Sequence, residues 1–155
     1  VTILEDIQAE VSALLREVET PAAVGYGVDL SCVADLHDDL REVDPNSPEG
    51  IGEAVLRRWT CPRGQNADDP DYGRDVRAIL NRGLTQAELL GEAGLLRAEA
   101  EKEDTVDTCD VTLTLNVADR LVSIVGKITP VDPTIEPFRF VAAVTDGATM
   151  LEIQR

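Results

Sequence analysis

The hydrophobic pattern of this chain changes period about two-thirds of the way along, and that change restricts the fold more than any single motif. In Val111-Thr112-Leu113-Thr114-Leu115-Asn116-Val117 every second residue is apolar. A pleated strand with one buried face needs that alternation, and a helix cannot use it. Ala118-Asp119-Arg120 predicts a hairpin turn into a strand over Leu121 to Ile128. Phe138, Phe140, Ala142 and Val144 alternate again, and Asp146-Gly147 predicts a turn before a last strand over Met150 to Ile153.

Upstream the spacing is helical. Ser47-Pro48-Glu49 combines a capping hydroxyl, a proline at the first helical position and an acid against the dipole. Ile51, Val55 and Trp59 then share one face, and Pro62 must end the helix. A further helix is expected from Asp71 to Asn81, with Val76, Ile79 and Leu80 inward and Gly83 at its C-cap. Thr85 with Glu88 reads as a capping box opening a long helix to about Asp104, with Leu89, Ala93, Leu96 and Ala100 as its stripe. Gly91 and Gly94 weaken that helix by about 1 kcal/mol each, which predicts close approach of another backbone. Helices first and strands last give an α+β fold, with the helices packed on a small C-terminal antiparallel sheet. One edge of such a sheet stays open to a strand from another chain unless something covers it.

The chain also opens on a helical pattern. Leu4, Ile7, Val11, Leu14 and Val18 fall in alternating steps of three and four, the seam of a coiled coil, and Thr20-Pro21 closes the segment. Residues 1–20 are therefore read as an amphipathic helix, either packed on its own domain or reaching another subunit, and 21–155 as a single α+β domain. Between them, Gly25-Tyr26-Gly27 permits a turn before an extended Val28-Asp29-Leu30, and Asp35 to Val43 reads as a short helix. With 155 residues, 43% hydrophobic and 3% aromatic, one core built on Leu, Val, Ile and Ala is expected. No leader pattern and no apolar run of bilayer length is present, so export and membrane spanning are not expected.

Charge and composition narrow the chemistry. The net charge of −16, from 30 acidic and 14 basic residues, repels phosphate backbones and anionic lipid, so neither nucleic acid nor a membrane is an expected partner. Three widely spaced cysteines, Cys32, Cys61 and Cys109, suit a reducing compartment better than a disulfide framework. His37 is the single histidine. Asp68, Asp69 and Asp71 before Gly73 miss the calcium-loop register, because Pro70, Tyr72 and Ile79 fall at ligand positions. No metal or cofactor is expected, and no nucleophile or phosphate-loop motif occurs. Thirty acids always offer some carboxylate pair, so a small carboxylate-dependent cell-wall hydrolase stands as one alternative function. A cytosolic adaptor using the first helix as a coiled-coil arm is another.

The sharpest local feature is basic. Six arginines against four aspartates lie between Arg57 and Arg82, in an acidic chain. Arg57, Arg58, Trp59, Pro62, Arg63, Gly64, Tyr72 and Arg74 have the make-up of a protein-binding hot spot, against the plainer reading of internal salt bridges. The run Gly50-Ile51-Gly52-Glu53-Ala54-Val55-Leu56-Arg57-Arg58-Trp59-Thr60-Cys61-Pro62-Arg63-Gly64, followed by Asp71-Tyr72-Gly73-Arg74-Asp75-Val76, resembles the baseplate wedge and sheath-initiator family of contractile phage tails and related injection machines. The likeness spans roughly residues 25–153 and is sharpest from Gly50 to Val76. Cys61 stands where that family often has an acid, and the N-terminal amphipathic helix looks like an addition.

The resemblance implies a non-enzymatic structural subunit of the virion tail baseplate, assembled in the host cytoplasm. It would join wedge proteins to the tail sheath and template the first sheath ring by strand addition. Pro62, Arg63 and Gly64 would shape the wedge-binding turn, with Arg57, Arg58 and Trp59 supporting it. Strands between about Val111 and Ile153 would offer the edge, and the N-terminal helix would reach tube or hub proteins. Some relatives carry a lysozyme-like label, but no acid pair here is assignable to that activity.

Overall fold

The computed structural model describes residues 27–33 and 40–154. The helix predicted over 1–20, the start of the Gly25-Tyr26-Gly27 turn, His37 and the first part of the predicted Asp35–Val43 helix lie outside them. The described end of that last segment is strand, not helix. Leu40 has φ 49°, outside the right-handed helical region, and β2 (Glu42–Val43) pairs antiparallel with β1 (Asp29–Leu30). The Ser31 N–H extends the pairing to the Arg41 carbonyl at 2.7 Å.

Helix α1 (Pro48–Thr60) starts as its residues dictate: the Ser47 hydroxyl accepts from the Gly50 N–H at 3.1 Å, and Pro48 opens the first turn. Gly50 is required there, since a Cβ would lie 2.3 Å from the Asp44 carbonyl oxygen. Ile51, Val55, Leu56 and Trp59 are buried. The helix predicted over Asp71–Asn81 is shorter and tighter, a 3-10 helix of Val76–Asn81 capped by the Asp75 side chain. Residues before it cannot be helical because Gly73 sits at φ +93° and the Arg74 N–H donates to the Arg58 carbonyl at 2.8 Å.

Helix α2 (Gln86–Ala100) opens with the predicted capping box, both halves formed. It stops at Ala100, short of Asp104, as the Lys102 and Glu103 amides bond back to the Glu99 and Ala100 carbonyls and turn the chain toward the sheet. Leu89, Ala93, Leu96 and Ala100 are buried as expected. The close backbone approach expected at Gly91 and Gly94 is not supplied by the described residues, since nothing lies within 4 Å of a Cβ at either.

The last third is a meander of β3 (Val106–Asn116), β4 (Leu121–Pro130), β5 (Phe138–Val144) and β6 (Thr149–Gln154), paired in that order and all antiparallel. β3 begins earlier than predicted, with a bulge between Val106 and Thr108. The inward face carries Cys109, Leu113, Val122, Ile124, Ile128, Phe138, Phe140, Ala142 and Val144, all buried beneath α1 and α2. Gly126, opposite Phe140, leaves the space its ring fills, since a Cβ would come within 2.3 Å of it. The fold is α+β with a C-terminal antiparallel sheet.

Both outer strands keep backbone groups pointing away from the sheet. The Cys109 N–H donates to Glu101 Oε1 at 3.3 Å, not to β4, which fixes the alternation of the β3 ladder. By that alternation, the amides and carbonyls of Val111, Leu113 and Leu115 face outward from β3. On the far side the Thr145 N–H donates to the Ala148 carbonyl at 2.9 Å, so Thr149, Leu151 and Ile153 face outward from β6.

Candidate functional site

The arginine-rich segment folds back onto two acids of α2 that share its inward stripe. Glu92 is 6% exposed and Glu99 2%. Glu99 accepts from the Gly73 N–H at 3.0 Å, Arg58 Nη1 at 3.3 Å, Arg63 Nη2 at 3.2 Å and Lys102 Nζ at 2.8 Å. Glu92 binds Arg74 through two guanidinium nitrogens and Arg82 at 2.7 Å. Burial pushes both carboxyls up, but Lys102, the Gly73 amide and Arg58 around Glu99, and Arg74 and Arg82 around Glu92, outweigh it and hold both below the ordinary value. Two ionised, saturated carboxylates thus stitch the loop of residues 61–75 to α2. A general acid at neutral pH needs the opposite shift.

The predicted site residues fall around this network. Arg57 pairs with Asp29 at 3.1 Å and ties α1 to β1. Arg58 binds Glu103 at 2.6 Å and lies over the Tyr72 ring, 4.3 Å from its centroid. Burial lowers the Arg58 pKa, yet Glu103 leads the contacts that bring it above its ordinary value; burial also raises that of Tyr72. Arg63 donates to the Gly73 carbonyl at 3.3 Å as well as to Glu99. The Gly64 N–H closes the loop on the Pro70 carbonyl at 3.0 Å, with Gly64 at φ +82°. Gly73 is held against Cys61, where a Cβ would lie 2.4 Å from the carbonyl oxygen.

Two expectations change. Trp59 cannot touch a partner: it has no exposed surface, its Nε1–H donates to the Leu96 carbonyl at 2.8 Å, and its ring packs 5.3 Å from Phe140. It supports the turn from within the core. The arginines, expected as a partner-facing cluster, are paired inside the chain, which is the plainer of the two sequence readings. What the turn still offers outside is the half-exposed Arg63 guanidinium, Gly64 and, beside an open pocket of about 290 Å³ that Glu92 helps line, the half-exposed Arg82.

The organising residues, Glu92 and Glu99, were absent from the sequence expectations although a signal existed. Leu89, Glu92, Ala93, Leu96, Glu99 and Ala100 follow the three-four spacing of one helical face, so acids on an apolar stripe announced buried partners. A third buried acid, Glu53, is 1% exposed and accepts from the Ser31 hydroxyl at 2.8 Å and the Cys32 N–H at 2.9 Å, fixing β1 to α1. Among the described residues, no group of three or more metal-ligating side chains converges and no helix is long and apolar enough to cross a membrane. No protein-family model matches the chain, and no curated protein matches it.

Proposed function

We propose that this protein is a non-enzymatic structural subunit of a contractile-tail baseplate, joining wedge proteins to the tail sheath and templating the first sheath ring by strand addition. The reading rests on the resemblance across Gly50 to Val76. The observation that carries it furthest is the β3 edge, where Val111, Leu113 and Leu115 turn their amides and carbonyls away from β4. An extended segment of a sheath subunit fits there as a further strand, main-chain bonds supplying affinity. The Pro62-Arg63-Gly64 turn, held by Gly73 and Glu99, serves as the wedge contact.

Val111→Pro deletes one outward-facing donor, whereas Thr112→Pro deletes a donor of the β3–β4 ladder. Val111→Pro, which also gives up part of the packing of a half-buried side chain, should lose less folding stability than Thr112→Pro yet abolish sheath nucleation, which Thr112→Pro should impair only as far as it unfolds the chain. In assembled tails, cryo-microscopy should place the chain at the baseplate–sheath junction. Its absence there would end the proposal.

A further inference from the structure

α2 is apolar on two sides, and the described fold uses one of them. Leu89, Ala93, Leu96 and Ala100 face the core, while Leu90 (68% exposed) and Leu95 (49%) stand outside it. Between those leucines runs a row of small residues, Ala87, Gly91, Gly94 and Ala98, all exposed, with nothing within 4 Å of a Cβ at either glycine. Two exposed glycines weaken a helix, and a shallow trough flanked by leucines is a place for another helix to lie.

The chain holds a segment of matching pattern. Ile7, Val11, Leu14 and Val18 are spaced four, three, four, as are Ala87, Gly91, Gly94 and Ala98. Laid parallel, each bulky residue of the first row meets a small one of the second, the layer geometry of knobs and holes. The connection also suffices. Val28 lines one pocket with Glu103, Asp104 and Thr105, just past the C-terminal end of α2. From there residues 21–26 span up to about 20 Å when extended, enough to bring Val18 beside Ala98.

We propose that the outward face of α2 is the docking surface for residues 1–20 of the same chain, in parallel register, with Ile7, Val11, Leu14 and Val18 over Ala87, Gly91, Gly94 and Ala98. The proposal is independent of the baseplate reading.

The test is the sign of one stability change in the full chain. Gln is a better helix former than Gly, so on an open face Gly91→Gln/Gly94→Gln raises the Tm. On an occupied face it fills the trough and lowers the Tm. We expect a fall, with tryptic cleavage after Arg16 accelerated roughly tenfold or more as the segment is released. Val11→Glu/Leu14→Glu, which changes no residue of α2, should reproduce both effects and add little to the glutamine variant. A rise in Tm, or two additive effects, would overturn the proposal. So would a dimeric mass by light scattering that the variants convert to monomer, because the segment would then belong to a second copy.

Discussion

Replacing Glu99 by Gln probes the network directly. The substitution keeps volume and one acceptor oxygen but removes the charge on which the Gly73 amide, Arg58, Arg63 and Lys102 converge. Removing one partner of a buried ion pair costs about 3–5 kcal/mol, and the Arg58 side chain is 12% exposed. Arg63 and Lys102 are about half exposed, so solvent screens their shares to under about 1 kcal/mol each. The retained oxygen recovers part of the Gly73 bond. A loss of about 2–4 kcal/mol follows, which for a chain of this length lowers the Tm by roughly 5–12 °C. The pH dependence has a fixed sign. The folded carboxyl is held below its ordinary value of 4.5, so the unfolded chain binds the proton more readily. The contribution is full above about pH 4.5 and is lost as pH falls through the folded value. Urea melts of both proteins from pH 7 to pH 3 should show a full gap at neutrality that narrows in acid. A deficit under about 1 kcal/mol at pH 7, or one that persists unchanged in acid, would refute the reasoning.

Three further outcomes are expected. Gly73→Ala places a Cβ against the Cys61 carbonyl at φ +93° and should cost about 2–4 kcal/mol in urea melts, whereas Gly64→Ala, at φ +82° in open space, should cost only about 1–2. With a thiol reagent at pH 8, the half-buried Cys32 and Cys61 should react in the native protein. Cys109 should react only in denaturant, because burial, with Glu101 nearby, pushes its thiol up to about 12. Arg63→Ala should lower stability by less than about 1 kcal/mol while weakening wedge association more; matched losses would make Arg63 structural only.

The strands were legible because an alternating pattern has one reading, and Phe138 to Val144 is buried in the phase the residues dictate. Capping chemistry placed the starts of α1 and α2 for the same reason, since Ser47 and Thr85 act on their own next turn. What failed was whatever depended on a distant partner. Asp71 to Arg74 reads as helix until the Arg58 carbonyl and the Glu99 carboxylate, far away in sequence, draw it out straight. Glu42 and Val43 read as helix until β1 pairs with them. In the candidate site, the end of α1 at Pro62 was legible from the proline alone, and the turn at Pro62 to Gly64 was expected from the family resemblance. The pairing of its arginines was not, because burial of an acid is decided by tertiary packing.

That pairing alters which surface is fit to meet another protein. An arginine cluster acts as a hot spot when its guanidiniums reach the partner with donors to spare, but here Arg58 and Arg74 spend theirs on Glu99, Glu103 and Glu92. To recruit them a partner would have to displace carboxylates that are 2% and 6% exposed, leaving buried charge behind. Among the described residues nothing bonds the outward amides of Val111, Leu113 and Leu115, so a strand docking on the β3 edge would displace no carboxylate. The side chains of β3 toward solvent are Thr112 and Thr114, with Asp110 at the bulged end, where Glu101 already occupies the Cys109 amide. On the proposed function, the arginine network would serve recognition only indirectly, by fixing the turn and α2 against the sheet, and the affinity of the assembly would reside in the backbone of β3.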